Sequence, residues 1–122
     1  MFIQLRVLIV EDDKVQAFSI QNMLQNLGHS PIGIADTAEK AIRMYTSRHP
    51  DLILMDIQLN GEKDGVEAAK EMLKLWYKPV IYISGLDVSK YQDRIKQTHN
   101  RGILQKPINK EILSDTLLKC YI

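Results

Sequence analysis

Several features that define large functional classes are scarce or missing in this sequence. Cys120 is the only cysteine, which excludes an internal disulfide and a cysteine-rich metal site. No apolar run approaches the roughly 20 residues of a membrane-spanning helix, and the apolar start leads straight into the fold rather than to a signal-peptide cleavage site. The formal net charge is only +1, so no overall field favours nucleic acid. These absences predict a cytoplasmic protein without direct contacts to membrane or nucleic acid.

The composition that remains suits one compact domain. The chain has 122 residues, of which 45% are hydrophobic and 25% charged, so it can bury a core but is short for two domains. No repeat, low-complexity tract or linker interrupts it. We therefore expect a single domain over residues 1–122.

Apolar runs and helical patterns alternate along the chain. The runs are continuously apolar, which is typical of strands buried on both faces. They lie at Leu5–Val10, Pro31–Ala35, Leu52–Met55, Val80–Ser84 and Ile103–Gln105. Five strands alternating with five helices predict an α/β fold, with one parallel sheet covered on both faces.

The helical segments carry recognisable starts and stops. Ile20 and Leu24 share one helix face, and Gly28 is a suitable stop signal after them. Asn109 is the expected N-cap of the last helix. The fourth helix, expected to begin near Ser89, has the weakest pattern.

Polar residues follow the predicted strands at the edge where parallel sheets bind ligands. They are Glu11, Asp12 and Asp13 at the end of the first strand, Asp36 near the end of the second, Asp56 at the end of the third, Ser84 at the end of the fourth and Lys106 at the end of the fifth. If strands one, three, four and five are neighbours, one pocket is shared by Glu11, Asp12, Asp56, Ser84 and Lys106, while Asp36 stands to the side on an edge strand.

The chemistry of such a pocket is specific. Clustered carboxylates repel one another unless a cation such as Mg²⁺, which prefers carboxylate oxygens, relieves the repulsion. Lys106 adds a second positive charge that can reach a phosphoryl oxygen, and the Ser84 hydroxyl can donate to the same group. A carboxylate nucleophile with a hard metal and a cation can form an acyl phosphate, and Asp56 is the expected nucleophile.

Each residue alone has a simpler explanation. Asp12 or Asp13 could cap the first helix, Asp56 could be an ordinary strand-end acid, and Lys106 could be a solvated surface charge. Only the combination indicates a site.

Five motifs carry a resemblance over essentially the whole chain: "VLIVEDD", "DLILMDIQL", "DGVEAA", "VIYISG" and "LQKP". In order and spacing they resemble the receiver domain of two-component response regulators, of the chemotaxis-regulator kind. The resemblance implies a flavodoxin-like fold, a doubly wound five-stranded sheet in the order 2-1-3-4-5.

The resemblance also implies roles for individual residues. Glu11 and Asp12 match the acidic pair that holds Mg²⁺, Asp56 matches the phosphoacceptor and third carboxylate, and Gln58 matches the position that offers the metal a backbone carbonyl. Ser84 matches the hydroxyl residue that contacts the phosphoryl group and moves on activation.

Further residues match the family or depart from it. Lys106 matches the phosphate-binding lysine, before what is usually a cis peptide bond to Pro107, and Gly85 matches a small residue that leaves room for the phosphoryl group. The loop "LNGEKDG" after Asp56 lacks the usual proline and is one residue longer. Ile103 stands where the family often has an aromatic ring that couples to the hydroxyl residue.

Two functions from different classes follow. The first is a phosphorylation switch, which takes a phosphoryl group from a histidine kinase or histidine phosphotransfer protein and changes partner binding through the fourth helix, fifth strand and fifth helix. The alternative is a phosphorylation-independent module that only binds partners. An enzyme with an external substrate is not expected. Both a stand-alone regulator and one domain of a longer regulator or hybrid kinase fit the pattern.

Overall fold

The computed structural model describes residues 3–85 and 87–120, which form five β-strands and five α-helices in alternation. The strands are β1 (Arg6–Val10), β2 (Ser30–Ala35), β3 (Leu52–Asp56), β4 (Val80–Ser84) and β5 (Ile103–Gln105). The helices are α1 (Lys14–Asn26), α2 (Ala38–Arg48), α3 (Gly65–Leu75), α4 (Gln92–Lys96) and α5 (Lys110–Lys119). This alternation confirms the predicted α/β class.

The strands form one parallel sheet in the order β2-β1-β3-β4-β5. β3 is central, with β1 on one side and β4 on the other, while β2 and β5 are the edges. The carboxyl ends of β1, β3, β4 and β5 therefore lie side by side. This order confirms the predicted topology and separates the end of β2 from β3 by one strand.

Two hydrophobic cores cover the two faces of the sheet, because successive strand residues point to opposite faces. In β1, Val7 and Ile9 belong to one core and Leu8 and Val10 to the other. Buried residues of α1 and α5 complete the first core, and those of α2, α3 and α4 complete the second. Each fully buried aliphatic side chain contributes roughly 1.5–3 kcal/mol to stability.

Side-chain caps begin the four longer helices. Each cap satisfies a backbone N–H that the first helical turn leaves without a partner. The caps are Asp13 for α1, Thr37 for α2, Asp64 for α3 and Asn109 for α5. The prediction for Asn109 is confirmed, and of the two acids proposed to cap α1 it is Asp13 that does so.

No helix in the described ranges 3–85 and 87–120 combines the length and apolar character needed to cross a bilayer. The longest, α1, has 13 residues, whereas a span needs about 20.

The segment before β5 does not form the one continuous helix that the sequence predicts from near Ser89. A 3-10 turn over Ser89–Tyr91 comes first, and α4 follows with only five residues. Ile95 is the only residue of α4 that is buried. One apolar anchor in a polar segment supports little regular helix, because short helices depend on packing for their stability.

Gly65 brings the start of α3 against the backbone of β3. Its N–H donates to the carbonyl oxygen of Ile57 at 2.8 Å. A Cβ at this position would overlap the backbone carbonyl oxygen of Asp56 and lie 2.9 Å from Met55 Cγ. The loop that follows Asp56 can therefore close onto the strand only because residue 65 has no side chain.

Replacing Gly65 with Ala should reduce stability, because the new methyl group meets backbone that cannot rotate away. We expect the free energy of unfolding of Gly65→Ala to fall by about 1–3 kcal/mol, measured by urea denaturation. Gly85→Ala is the matched control, since the nearest atom to its added Cβ is Lys106 Cδ at an ordinary 3.7 Å. Equal urea midpoints for Gly65→Ala and wild type would contradict the close approach.

Candidate functional site

A cavity of 430 Å³ opens at the carboxyl edge of the sheet. It is formed by the loops after β1, β3, β4 and β5, as expected for a doubly wound sheet. Its lining residues are Glu11, Asp12, Asp13, Gln16, Asp56, Gln58, Leu59, Asn60, Gly85 and Lys106. The structure therefore brings together Glu11, Asp12, Asp56, Gln58 and Lys106.

Lys106 lies between two buried carboxylates at the centre of this cavity. Its Nζ is 2.9 Å from Asp56 Oδ2 and 2.8 Å from Glu11 Oε1. Asp56 is 3% exposed and Glu11 1% exposed, so neither carboxylate is well solvated. Buried carboxylates need such a counter-charge, because desolvation strongly disfavours the ionised form.

The ionisation of these groups reflects their burial and proximity. Burial raises the pKa of Glu11; the ammonium of Lys106 opposes this rise, and the nearby Asp56 reinforces it. Burial also disfavours the charged form of Lys106, but the carboxylates of Glu11 and Asp56 outweigh it and raise the pKa of Lys106 above its usual value. Lys106 is therefore positively charged at neutral pH.

Backbone N–H groups hold the carboxylates in place. Gln58 N–H donates to Asp56 Oδ1 at 3.0 Å, and Asp13 N–H donates to Glu11 Oε2 at 3.1 Å. Asn60 N–H donates to Asp12 Oδ2 at 3.0 Å. The sequence did not point to Asn60, because a backbone donor leaves no signature in residue type. Asp12, which faces this loop, does not serve as the helix cap considered for it.

The three carboxylates fit a hard divalent cation. One oxygen from each of Glu11, Asp12 and Asp56 lies within 4.8 Å of the others. Three carboxylates face one lysine here, so the cluster carries excess negative charge. An all-oxygen donor set that is open to solvent on one side suits Mg²⁺, which keeps several of its waters when bound.

Ser84 is close in the sheet but does not line this cavity. It is 2% exposed at the end of β4, and its carbonyl oxygen accepts a hydrogen bond from Lys106 N–H at 2.8 Å. Ser84 lines instead a neighbouring cavity of 500 Å³, together with Val88 and Ile103. The expected cis peptide bond between Lys106 and Pro107 is present.

Asp36 does not line this cavity, as the strand order predicts; it lines an adjoining one that also reaches Glu11 and Asp12. It follows the edge strand β2, and Lys40 Nζ pairs with its Oδ1 at 3.0 Å. Both side chains of this pair are about half exposed.

The sequence profile of the response regulator receiver domain matches residues 7–118. The chain therefore belongs to the response regulator receiver family. The match begins within β1 and ends within α5, so it includes nearly the whole fold.

Individual relatives agree with this assignment. Over 79 residues, 64% of this chain, it is 38% identical to the phyllosphere-induced regulator PhyR of Methylorubrum extorquens, but it spans only 30% of that protein's length. It is 31% identical over 119 residues to the polar-differentiation response regulator DivK of Brucella ovis, covering 95% of this chain and 94% of that protein. A signal receiver domain of a modulated diguanylate cyclase from Desulfovibrio desulfuricans G20 superposes with a TM-score of 0.89 at 32% identity, covering 95% of this chain and 92% of the other.

Replacing Lys106 with Met should destabilise the protein at neutral pH. The change leaves Glu11 and Asp56 buried without the cation that contacts both, so we expect a loss of roughly 2–4 kcal/mol in the free energy of unfolding near pH 7. The loss should shrink near pH 5, because a carboxyl with a raised pKa is more readily protonated and then needs no counter-charge.

Urea denaturation at both pH values measures this effect. Lys40→Met is the control, because its pair with Asp36 is exposed and should contribute little. A loss for Lys106→Met that does not depend on pH would indicate lost packing of the lysine chain instead of lost charge.

Proposed function

We propose that this chain is a phosphorylation switch in which Asp56 accepts a phosphoryl group from a phosphohistidine donor. The donor would be a histidine kinase or a histidine phosphotransfer protein. The observation that carries the proposal is the position of Asp56, a buried carboxylate at the end of the central strand, 2.9 Å from Lys106 and beside two further acids. An acid with only a structural role does not require a solvent-open cavity with this set of groups.

Transfer of the phosphoryl group to Asp56 forms one bond to phosphorus and breaks another. A carboxylate oxygen of Asp56 forms a bond to phosphorus, the bond between phosphorus and the donor histidine nitrogen breaks, and that nitrogen keeps the electron pair. Lys106 can contact a phosphoryl oxygen, since its ammonium already lies at the carboxylate. The N–H of Gln58 keeps Asp56 oriented during the transfer.

Glu11, Asp12 and Asp56 would hold Mg²⁺, with the backbone carbonyl of Gln58 as a further ligand. The ion supplies positive charge that offsets the negative charge gathered around the phosphoryl group. Without it, an incoming phosphoryl anion meets three carboxylates and one lysine. This imbalance supports a Mg²⁺-dependent reaction.

The signal would leave the site through α4, β5 and α5. A phosphoryl group on Asp56 adds acceptor oxygens that can draw in the Ser84 hydroxyl and shift the segment up to Val88. Ile103 and Ile112, on β5 and α5, are large apolar side chains with 36% and 50% exposure, which suits a partner surface. Ile103 has no ring to swing inward, so the backbone after Ser84 is the expected carrier of the signal.

The role is regulatory rather than that of an enzyme with an external substrate. Receiver domains are signalling modules, and relatives named above are regulators. We propose one receiver domain over residues 1–122, whose downstream partner is a protein or an output domain.

Asp56→Asn should abolish phosphorylation. Wild type treated with acetyl phosphate and Mg²⁺ should gain an acid-labile phosphoryl mass, measured by intact-protein mass spectrometry, and the variant should not, because an amide is a poor nucleophile. Asp36→Asn is the control, since this acid lies at the same edge of the sheet but outside the cavity.

Two results would count against the assignment. Undiminished labelling of Asp56→Asn would place the phosphoryl group elsewhere. No labelling of wild type, and no binding of beryllium fluoride, would favour the phosphorylation-independent interaction module.

Asp12→Ala should weaken Mg²⁺ binding about tenfold or more, because it removes one of three carboxylate ligands. Without metal, the same variant should unfold at a higher temperature, since one source of repulsion is gone. Calorimetric titration measures the first effect and thermal unfolding the second. Asp13→Asn is the control, because asparagine keeps the α1 cap next to the site. Unchanged Mg²⁺ affinity in Asp12→Ala would exclude Asp12 as a ligand.

A further inference from the structure

Few contacts hold α4 in its place. Ile95 is its single buried residue, and Thr98 just beyond it is anchored through the hydroxyl of Tyr82, which donates to Thr98 Oγ1 at 2.9 Å. The remaining residues of the helix are polar and wholly or partly exposed. The position of α4 is therefore sensitive to any additional contact that it makes.

Arg94 makes such a contact with α3. Its guanidinium donates to Asp64 Oδ1 at 2.9 Å and lies 3.9 Å from Glu67 Oε1. The same guanidinium lies over the ring of Tyr91, 5.8 Å from the ring centre. Arg94 therefore connects the 3-10 turn and α4 to the first turn of α3.

Asp64 is tied to the phosphoacceptor strand by the next residue. Its Oδ1 also accepts the N–H of Glu67, and Glu67 Oε1 accepts the N–H of Asp64, so the carboxylate is fixed by a reciprocal cap. Gly65 follows directly and closes against the backbone of Asp56. A short route thus runs from Asp56 through Gly65 and Asp64 to Arg94, and it includes neither Ser84 nor Ile103.

We propose that the ion pair between Asp64 and Arg94 is a latch that holds α4 in the conformation where Lys106 contacts Asp56 directly. A phosphoryl group on Asp56 must share the Lys106 ammonium with the carboxylates that it contacts now. The group must also disturb the loop that Gly65 anchors, and this disturbance strains the latch. The latch lowers the population of the conformation that accepts the phosphoryl group. This inference rests on the proposed phosphorylation of Asp56 and adds to it an element that sets the balance between the two states.

Arg94→Gln and Asp64→Asn test the latch by removing either charge, and asparagine keeps the α3 cap. Each variant should bind beryllium fluoride with Mg²⁺ about twofold to fivefold more tightly than wild type, because the ion pair no longer favours the conformation that binds the mimic less well. The double variant should match the single variants, since both break the same contact. Calorimetric titration measures these affinities.

The two variants also separate the latch from a general effect of charge. The first removes a positive charge and the second a negative one, so long-range electrostatics would shift the affinity for the anionic mimic in opposite directions. The latch requires the same direction in both. Lys63→Gln is the matched control, because Lys63 pairs with Glu71 of α3 and leaves Arg94 untouched; its affinity should stay close to wild type.

Hydrogen exchange of α4 amides tests the latch even if the mimic does not bind. Exchange should accelerate in Arg94→Gln and Asp64→Asn, while α3 amides should exchange as in wild type. Faster α4 exchange together with no binding of the mimic by wild type would retain the latch and reject phosphorylation. Unchanged α4 exchange, or affinities that move in opposite directions, would overturn the latch.

Discussion

The contact of one lysine with two buried carboxylates determines the arrangement of charged groups at the edge of the sheet where the strands have their carboxyl ends. Glu11 and Asp56 are almost completely removed from water, and ionised groups in that position cost several kcal/mol each unless they are compensated. Lys106 compensates both, at 2.8 and 2.9 Å. Lys106 does not also neutralise Asp12, so the cluster keeps a net negative charge and favours additional positive charge. The proposed Mg²⁺ ion would supply that positive charge, and it would also offset the charge of the proposed phosphoryl group.

The parallel sheet makes this contact possible. β3 lies between β1 and β4, so the chain delivers acids from two neighbouring strands to one edge, and the loop after β5 brings the lysine across β4. Backbone N–H groups from the loops then orient the carboxylates. Gly65 closes the loop after β3 onto the strand itself. The same residues therefore serve the stability of the fold and the geometry of the cavity.

Two structural routes lead from the cavity to the segment around α4 that we propose to carry the signal. One passes through Ser84, which is buried beside a second cavity that reaches Ile103. The other passes through the start of α3 to Arg94 on α4. Since α4 is short and has one buried side chain, a single ion pair is a substantial part of what holds it. A helix with this little packing is suited to move when a neighbour changes.

Local patterns of residues are sufficient to predict the five strands and the four longer helices, because apolar runs, helical periodicity and caps are local, whereas the fourth helix is broken into a 3-10 turn and a short α4. The apolar run Val80–Ser84 coincides with β4, Asn109 caps α5 as its position predicts, and the sequence places Asp56 and Lys106 at the ends of strands. Packing in three dimensions brings Asp12 to the loop after β3, which leaves Asp13 to cap α1, and it brings Arg94 to Asp64 across 30 residues of chain. Such pairings depend on how separate elements pack in space, which no local pattern of residues encodes.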